Sequence, residues 1–157
     1  MKDFSKLIIS IVGCEFVGLL SVPFTIASIS TWYPGVIKPP FSPPNWIFAP
    51  VWTALYFLMG ESLYLVWRKG IKNKEIRVAL YYFSAQLIFN FLWTVIFFGL
   101  HQPLFALIDI IALLVAIILT MMKFSRISKT ALYLLIPYLL WVSFAAILNG
   151  AIVLLNK

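Results

Sequence analysis

Five long apolar runs dominate the chain, and short polar segments separate them. Each run has about the 20 residues that an α-helix needs to cross a bilayer. None alternates with the period of two that is typical of strands in a transmembrane β-barrel. The pattern therefore predicts an all-α integral membrane protein, a bundle of five transmembrane helices that forms a single domain over residues 1–157. The predicted helices are Leu7–Ile29, Trp46–Trp67, Val78–Phe98, Leu104–Met122 and Ala131–Leu155.

The composition supports a membrane protein and argues against a nucleic-acid partner. Hydrophobic residues make up 63% of the chain and charged residues 11%, whereas a soluble domain carries about a quarter charged residues. The net charge is +7, but the basic residues sit in the short segments between apolar runs. That placement is typical of topology signals, so the expected environment is the lipid bilayer.

Basic residues also predict the orientation. Ten of the twelve lie on the side of the N-terminus, and only Lys38 and Lys157 lie on the other side. The positive-inside rule therefore places the N-terminus in the cytoplasm. The first run follows two lysines, as a signal peptide does, but it is long and has Glu15 in its middle. It is interpreted as a retained helix of a multi-pass protein in the cell (inner) membrane.

One stretch, Trp32 to Trp52, cannot continue the helical pattern around it. Its closely spaced prolines fix φ and remove backbone donors, so no regular helix is expected between Tyr33 and Pro43. Six aromatic residues lie in the same stretch. They form either an interfacial belt that anchors two helix ends or a stiff lid, residues 30–45, over a pocket for a flat aromatic ligand.

Three acidic residues lie inside predicted spans: Glu15, Glu61 and Asp109. A carboxylate is costly in hydrocarbon, so each is expected to face the bundle interior or water, or to be protonated. Each acid is therefore either a proton or cation site or a hydrogen-bonding group between helices. The chain has one cysteine, Cys14, and one histidine, His101. These give no intramolecular disulfide and no metal-ligand spacing, so no metal site is predicted.

Polar and aromatic residues recur at helical spacing on three of the predicted helices. Such a stripe serves either as packing and interhelix hydrogen bonding or as the wall of a ligand pocket. Pro137 frees a backbone carbonyl near the start of the last stripe and is expected to kink the helix. The stripes are Trp52, Tyr56, Met59 and Leu63; Gln86, Asn90 and Trp93; and Tyr138, Trp141, Ala145 and Asn149.

Four motifs, in order along the chain, resemble the TspO/MBR family of bacterial or archaeal type. This family comprises the tryptophan-rich translocator proteins once called peripheral benzodiazepine receptors. The resemblance covers essentially the whole chain. The motifs are WY-x-x-x-x-KP-x-x-x-PP-x-W-x-x-x-P-x-W at Trp32–Trp52, QL-x-x-N-x-x-W-x-x-x-FFG at Gln86–Gly99, A-x-x-D at Ala106–Asp109, and PY-x-x-W-x-x-FA-x-x-LN at Pro137–Asn149.

The resemblance implies a five-helix bundle, usually a homodimer, with a cavity that opens toward the first loop. In the family this cavity binds porphyrins and synthetic aromatic drugs. Carried over residue by residue, it implies a cavity lined by Tyr33, Trp52, Asn90, Trp141 and Ala145, with Trp46 and Asn149 nearby. Some bacterial relatives promote light-dependent breakdown of protoporphyrin, which makes Trp52 and Trp141 candidate catalytic residues.

The function expected from residues and resemblance together is a membrane receptor for tetrapyrroles, with protoporphyrin IX or a haem-like ring as ligand and no obligatory cofactor. The ring is expected to stack on Trp52 and Trp141. Lys38 is placed to meet a propionate, and Tyr138 belongs to the stripe of Trp141. The lone His101 disfavours axial ligation of iron. The alternatives are a proton-coupled transporter that uses intramembrane acids, a photochemical enzyme, and a sensor that acts through a partner.

The sequence departs from the family in two places. Animal members carry a sterol motif near the C-terminus that requires a tyrosine, and residues 148–157 contain none. Sterol binding is therefore not carried over. A loop position that is often Trp in the family is Phe41 here. The expected homodimer has only one weak interface signal, the small residues Ala146 and Gly150 spaced by four.

Overall fold

The computed structural model describes residues 2–157, and these residues form helices and loops with no strand. The predicted all-α membrane fold is confirmed. The helices are α1 (Asp3–Ile29), α2 (Phe48–Trp67), α3 (Lys74–Thr94), α4 (Pro103–Ser125), α5 (Lys129–Leu134) and α6 (Ile136–Leu155). A π-helical turn, Val95–Gly99, extends α3, and α5 with α6 forms the fifth spanning segment.

Four of these segments have the length and composition to cross a membrane: Asp3–Ile29, Lys74–Gly99, Pro103–Ser125 and Lys129–Leu155. The remaining long helix, α2, has 20 residues. It is less apolar because it carries Glu61 and several Trp and Tyr side chains. Its place in the bundle comes from tight packing against α1.

Polar caps explain why two helices begin before their apolar runs. The side chain of Asn73 accepts a hydrogen bond from the Glu75 N–H at 2.8 Å, so α3 begins at Lys74, four residues before the predicted Val78. The Ser128 hydroxyl caps α5 in the same way by accepting from the Ala131 N–H. Such caps satisfy donors that the first turn of a helix leaves unpaired.

The predicted distortion at Pro137 occurs as a break in the last spanning segment. The helix ends at Leu134 and restarts at Ile136, with Pro137 in the first turn of α6. Proline has no N–H to donate and its ring crowds the preceding turn. The break separates the short helix α5, which begins at Lys129, from α6, the helix that carries Trp141 and Asn149.

Close helix contacts position the bundle. At Gly60 of α2, an added Cβ would lie 2.5 Å from the Ile11 Cα of α1, so the two backbones nearly touch. Gly150 faces Leu107 of α4, where a Cβ would lie 3.9 Å from its side chain. Gly150 is half-buried and lies at the contact of α6 with α4, and a dimer interface at Ala146 and Gly150 stays a prediction.

The proline–aromatic loop between α1 and α2 forms one end of the bundle, which we call the loop end. It contains a 3₁₀ turn, Tyr33–Gly35, and a second one, Asn45–Ile47, with no helix between them. The side chain of Asn156 holds the loop by donating to the Ile37 carbonyl at 2.8 Å and accepting from the Ile37 N–H at 3.0 Å. The loop is thus tied to the end of α6.

His101 fixes the other side of the loop end. Its ring stacks on Trp32 at 4.6 Å, and its Nε2 lies 3.0 Å from the Ser28 hydroxyl oxygen. Because that hydroxyl donates its hydrogen to the Phe98 carbonyl, it accepts from an Nε2–H of His101. These contacts give His101 a structural role between α1 and the α3–α4 turn.

Candidate functional site

A cavity of about 750 Å³ lies between α1, α2, α3 and α6, beneath the loop. This volume is within the range of about 300–1,000 Å³ that is common for small-molecule sites. Its walls are mostly apolar and rich in aromatic rings. Its aromatic lining residues are Tyr33, Trp46, Phe48, Trp52, Tyr56, Trp93, Phe97, Phe98, Trp141 and Phe144.

The order of lining residues along each helix defines the depth of the cavity. Glu15, Tyr56, Asn90 and Trp141 are the lining residues farthest from the loop end on α1, α2, α3 and α6. They form what we call the floor. Tyr33 lies at the opposite, loop end of the cavity, where it is 2% exposed.

Several of the described residues that line the cavity, on α1 and just before α2, are themselves exposed. The lining residues Leu19 and Ile26 of α1 are 66% and 63% exposed, and Trp46, in the 3₁₀ turn before α2, is 73% exposed. These exposed apolar side chains lie within the depth of the membrane. The cavity therefore meets the bilayer at these residues.

A buried hydrogen-bond chain holds the floor. The Tyr56 hydroxyl donates to the side-chain oxygen of Asn90 at 2.9 Å, and the side-chain amide of Asn90 donates to the Tyr138 hydroxyl at 2.7 Å. Tyr138 in turn donates to the Gln86 carbonyl oxygen at 2.6 Å. An amide has two N–H donors, so Asn90 retains one for another acceptor.

Asn149 connects three helices near the wall. Its side-chain oxygen accepts from the Trp93 indole N–H at 3.0 Å, and its amide donates to the Pro103 carbonyl at 2.9 Å. These bonds join α6 to α3 and α4. Asn149 therefore orients Trp93, whose ring stacks on Phe97 at 5.0 Å in the cavity wall.

The two candidate tryptophans line the cavity from different helices. Trp52 of α2 lies 5.7 Å from the Tyr56 ring and meets Tyr138 edge-on at 6.5 Å. Trp141 of α6 packs against Phe144, with ring centroids 5.6 Å apart. Both indoles are partly buried, so each has ring surface left for a ligand.

Seven of the nine predicted ligand-binding residues line the cavity: Tyr33, Trp46, Trp52, Asn90, Trp141, Ala145 and Asn149. Tyr138 does not; it is fully buried behind Asn90 and supports the floor. Lys38 is also outside the lining, with its ammonium 4.5 Å from the Tyr33 ring centroid and bonded to the Val36 carbonyl. Contact of these residues with a ligand stays a prediction.

Tyr33 and the aromatic pair Phe97–Phe98 form the loop-end wall. The Tyr33 ring meets Phe98 at 5.6 Å and Phe97 at 6.2 Å, edge to face in both cases. Burial raises the pKa of the Tyr33 phenol above its usual value, so the group is a neutral O–H at physiological pH. Phe97 and Phe98 belong to the motif at Gln86–Gly99, but no role in the site was predicted for them.

The intramembrane acids separate in space. Glu15 lines the cavity floor, whereas Asp109 is buried in α4 and one of its oxygens has no hydrogen-bond partner in residues 2–157. Glu61 is half-buried on α2 and is not part of the cavity lining. Within the described residues, no group of three His, Cys, Asp or Glu side chains could hold a metal ion.

Sequence comparisons identify the family of the chain. The model of the TspO/MBR family matches residues 10–155. The chain is 51% identical to the tryptophan-rich protein TspO of Archaeoglobus fulgidus, over 96% of this chain and 97% of that protein. It is 43% identical to the tryptophan-rich protein TspO of Chlorobaculum tepidum over 99% and 98%. It is 40% identical to the Translocator protein of Homo sapiens over 75% and 70%. The chain therefore belongs to the TspO/MBR family.

Proposed function

We propose that this protein binds flat tetrapyrroles, such as protoporphyrin IX, in the cavity beneath the loop. The observation that carries the proposal is the cavity itself, about 750 Å³ with Trp52 and Trp141 exposing ring surface near its floor. A large planar ring gains both apolar burial and stacking in such a site. Each aromatic pair adds about 0.5–1.5 kcal/mol beyond burial.

Polar groups at the two ends would orient the ring. At the floor, the remaining N–H of Asn90 is available to a ring nitrogen or carbonyl acceptor. At the loop end, Lys38 is the nearest basic residue in sequence to Tyr33, over whose ring it lies. A rotation of the Lys38 side chain away from the Val36 carbonyl would bring its ammonium to a propionate. The acidic edge of the ligand is thus expected at the loop end.

The names of the relatives indicate different roles, and each of these roles requires that the protein binds a ligand. One relative is named Translocator protein, and another, from Cereibacter sphaeroides, is named tryptophan-rich sensory protein. Both translocation and sensing require a ligand to occupy the protein first. We therefore propose binding as the function and leave the later step to the assays below.

The test is a titration of protoporphyrin IX in the dark, followed by Soret absorbance, with the protein in nanodiscs. We expect saturable binding by the wild type. Trp52→Ala and Trp141→Ala should each weaken binding about tenfold, since each removes a stacking partner and its buried area. Trp67→Ala is the matched control, because Trp67 lies at the far end of α2, outside the cavity. Unchanged affinity in both cavity variants would contradict the stacked site.

The position of Glu15 favours one second candidate function, a proton-coupled carrier. Among the three intramembrane acids, only Glu15 lines the cavity, so it alone could sense the ligand directly. A carrier of this kind would move porphyrin across proteoliposomes in response to a pH gradient. Glu15→Gln should then abolish the gradient dependence, whereas Asp109→Asn should preserve it. Transport that persists unchanged in Glu15→Gln would exclude this candidate.

A further inference from the structure

We propose that Glu15 selects ligands by charge and accepts a positively charged nitrogen of an aromatic ligand at the cavity floor. The inference rests on the proposed function only in requiring that the cavity binds an aromatic ligand. It adds a second ligand class, flat rings that carry an ammonium, amidinium or protonated ring nitrogen. It also assigns a role to an acid that the stacked tetrapyrrole site does not use.

The position of Glu15 follows from the α1 helix. Glu15, Leu19, Val22 and Ile26 are spaced by four, three and four residues, so they lie on one face of the helix. All four line the cavity. Glu15 is the member of this stripe farthest from the loop end, just as Tyr56 and Asn90 are the lining residues farthest from the loop end on α2 and α3.

Among residues 2–157, Glu15 is the only charged residue that lines the cavity. Within the described residues the one ion pair joins Arg68 to Asp3, so Glu15 has no basic partner. The nearest basic residue on its own helix is Lys6, nine positions earlier, which is about 13 Å along the axis at 1.5 Å per residue. A carboxylate at this depth therefore lacks an internal counter-ion.

The absence of a counter-ion makes Glu15 a strong acceptor for a ligand cation. A carboxylate at membrane depth is costly unless a charge or a proton compensates it. A ligand cation supplies that compensation and forms a charge-assisted hydrogen bond, which is stronger than a neutral one. The aromatic walls around Glu15 hold the rest of the ring by stacking and apolar contact.

The same carboxylate restricts how an acidic ligand can enter. Like charges repel strongly in a low-dielectric site, so propionates cannot occupy the floor beside an ionised Glu15. They must lie toward the loop end, where Lys38 is found. The cavity therefore has an acid at its floor, and Lys38 lies outside the lining, near its loop end.

Two dyes of one ring shape test the proposal. 9-Aminoacridine is a cation at neutral pH, and acridone is neutral with the same three fused rings. Both are titrated by fluorescence against protein in zwitterionic nanodiscs, with empty nanodiscs as blank. We expect the wild type to prefer 9-aminoacridine about tenfold, and Glu15→Gln to lose that preference while its affinity for acridone stays within about twofold. Glu61→Gln, an acid on α2 outside the cavity lining, is the matched control and should behave as wild type.

A parallel titration with protoporphyrin IX separates this proposal from the proposed function. Porphyrin binding that persists in Glu15→Gln, together with loss of the dye preference, supports both. If Glu15→Gln retains the wild-type preference for 9-aminoacridine, or if neither dye binds the wild type, the assignment of Glu15 is overturned while porphyrin binding can still stand. If porphyrin fails to bind the wild type and the dye preference depends on Glu15, the tetrapyrrole proposal falls and the cation site remains.

Discussion

Gly60 provides the sharpest test of the packing that shapes the cavity. In Gly60→Ala, the new Cβ would lie 2.5 Å from the Ile11 Cα and 3.0 Å from the Ile11 backbone nitrogen. Ordinary carbon contacts are about 3.5–4.0 Å, so α1 and α2 must separate by about 1 Å. Neither contact is with a flexible side-chain end, and no rotamer change can relieve the clash. Overpacking of this kind costs about 1–3 kcal/mol.

Gly13 is the matched control, because it lies on the same pair of helices but has open space. An added Cβ at Gly13 meets no atom within 4 Å. In a helix interior, Ala is favoured over Gly by up to about 1 kcal/mol. The same chemical change should therefore destabilise the bundle at Gly60 and leave it equal or more stable at Gly13.

The assay is thermal unfolding of each variant in one detergent, followed by intrinsic tryptophan fluorescence. We expect the unfolding temperature to fall in Gly60→Ala and to stay level or rise in Gly13→Ala. Porphyrin affinity should fall in Gly60→Ala as well, since α1 and α2 both line the cavity. An unfolding temperature in Gly60→Ala equal to that of the wild type would refute the close approach of α1 and α2.

Three further changes follow from the same structure. Asn90→Leu should destabilise the protein by about 1–3 kcal/mol in denaturant titrations, because it leaves the buried Tyr56 hydroxyl without its acceptor and removes the hydrogen bond that Tyr138 accepts, although Tyr138 still donates to Gln86; an unchanged midpoint would contradict the hydrogen-bond chain. Asp109→Asn should leave stability unchanged or raise it, since one carboxyl oxygen has no partner; a loss above about 2 kcal/mol would mean that the carboxyl has a partner in the membrane. Asn156→Ala removes both hydrogen bonds to the loop backbone and should speed porphyrin release in stopped-flow measurements; an unchanged release rate would show that the loop does not retain the ligand.

The fold was largely predictable from sequence because the bilayer imposes a length on each apolar run. The helix ends were less predictable. The first turn of α3 contains Lys74, Glu75 and Arg77, which interrupt the apolar pattern although Asn73 caps a regular helix there. Pro137 gave the position of the break in the last segment, since a proline removes a backbone donor wherever it occurs.

The site was predictable in part, and the π-helical turn shows what regular helical spacing does not predict. The Leu100 N–H bonds to the Val95 carbonyl five residues earlier, at 2.8 Å, instead of four. This extra residue in the turn changes the face that the following side chains occupy. Extrapolation of regular helical spacing past Thr94 therefore does not give the positions of Phe97 and Phe98, which lie in the cavity wall.

Two predicted residues show what spacing alone does not resolve. Tyr138 shares a stripe with Trp141 but lies one turn farther from the loop end. There its hydroxyl accepts a hydrogen bond from Asn90 and donates one to Gln86. Lys38 lies in a loop whose path depends on the contact of Ile37 with Asn156, more than a hundred residues away. No local pattern indicates such a contact, so the sequence did not place the Lys38 ammonium over Tyr33.

The central claim is that a flat tetrapyrrole stacks between α2 and α6 in the cavity. The most direct measurement is a dark Soret titration of protoporphyrin IX with the wild type and with the double variant Trp52→Ala/Trp141→Ala, both in nanodiscs. The account predicts saturable binding by the wild type and affinity weaker by about a hundredfold in the double variant, if the two stacks act independently. Equal affinity in the two proteins, or no saturable binding by the wild type, would contradict it.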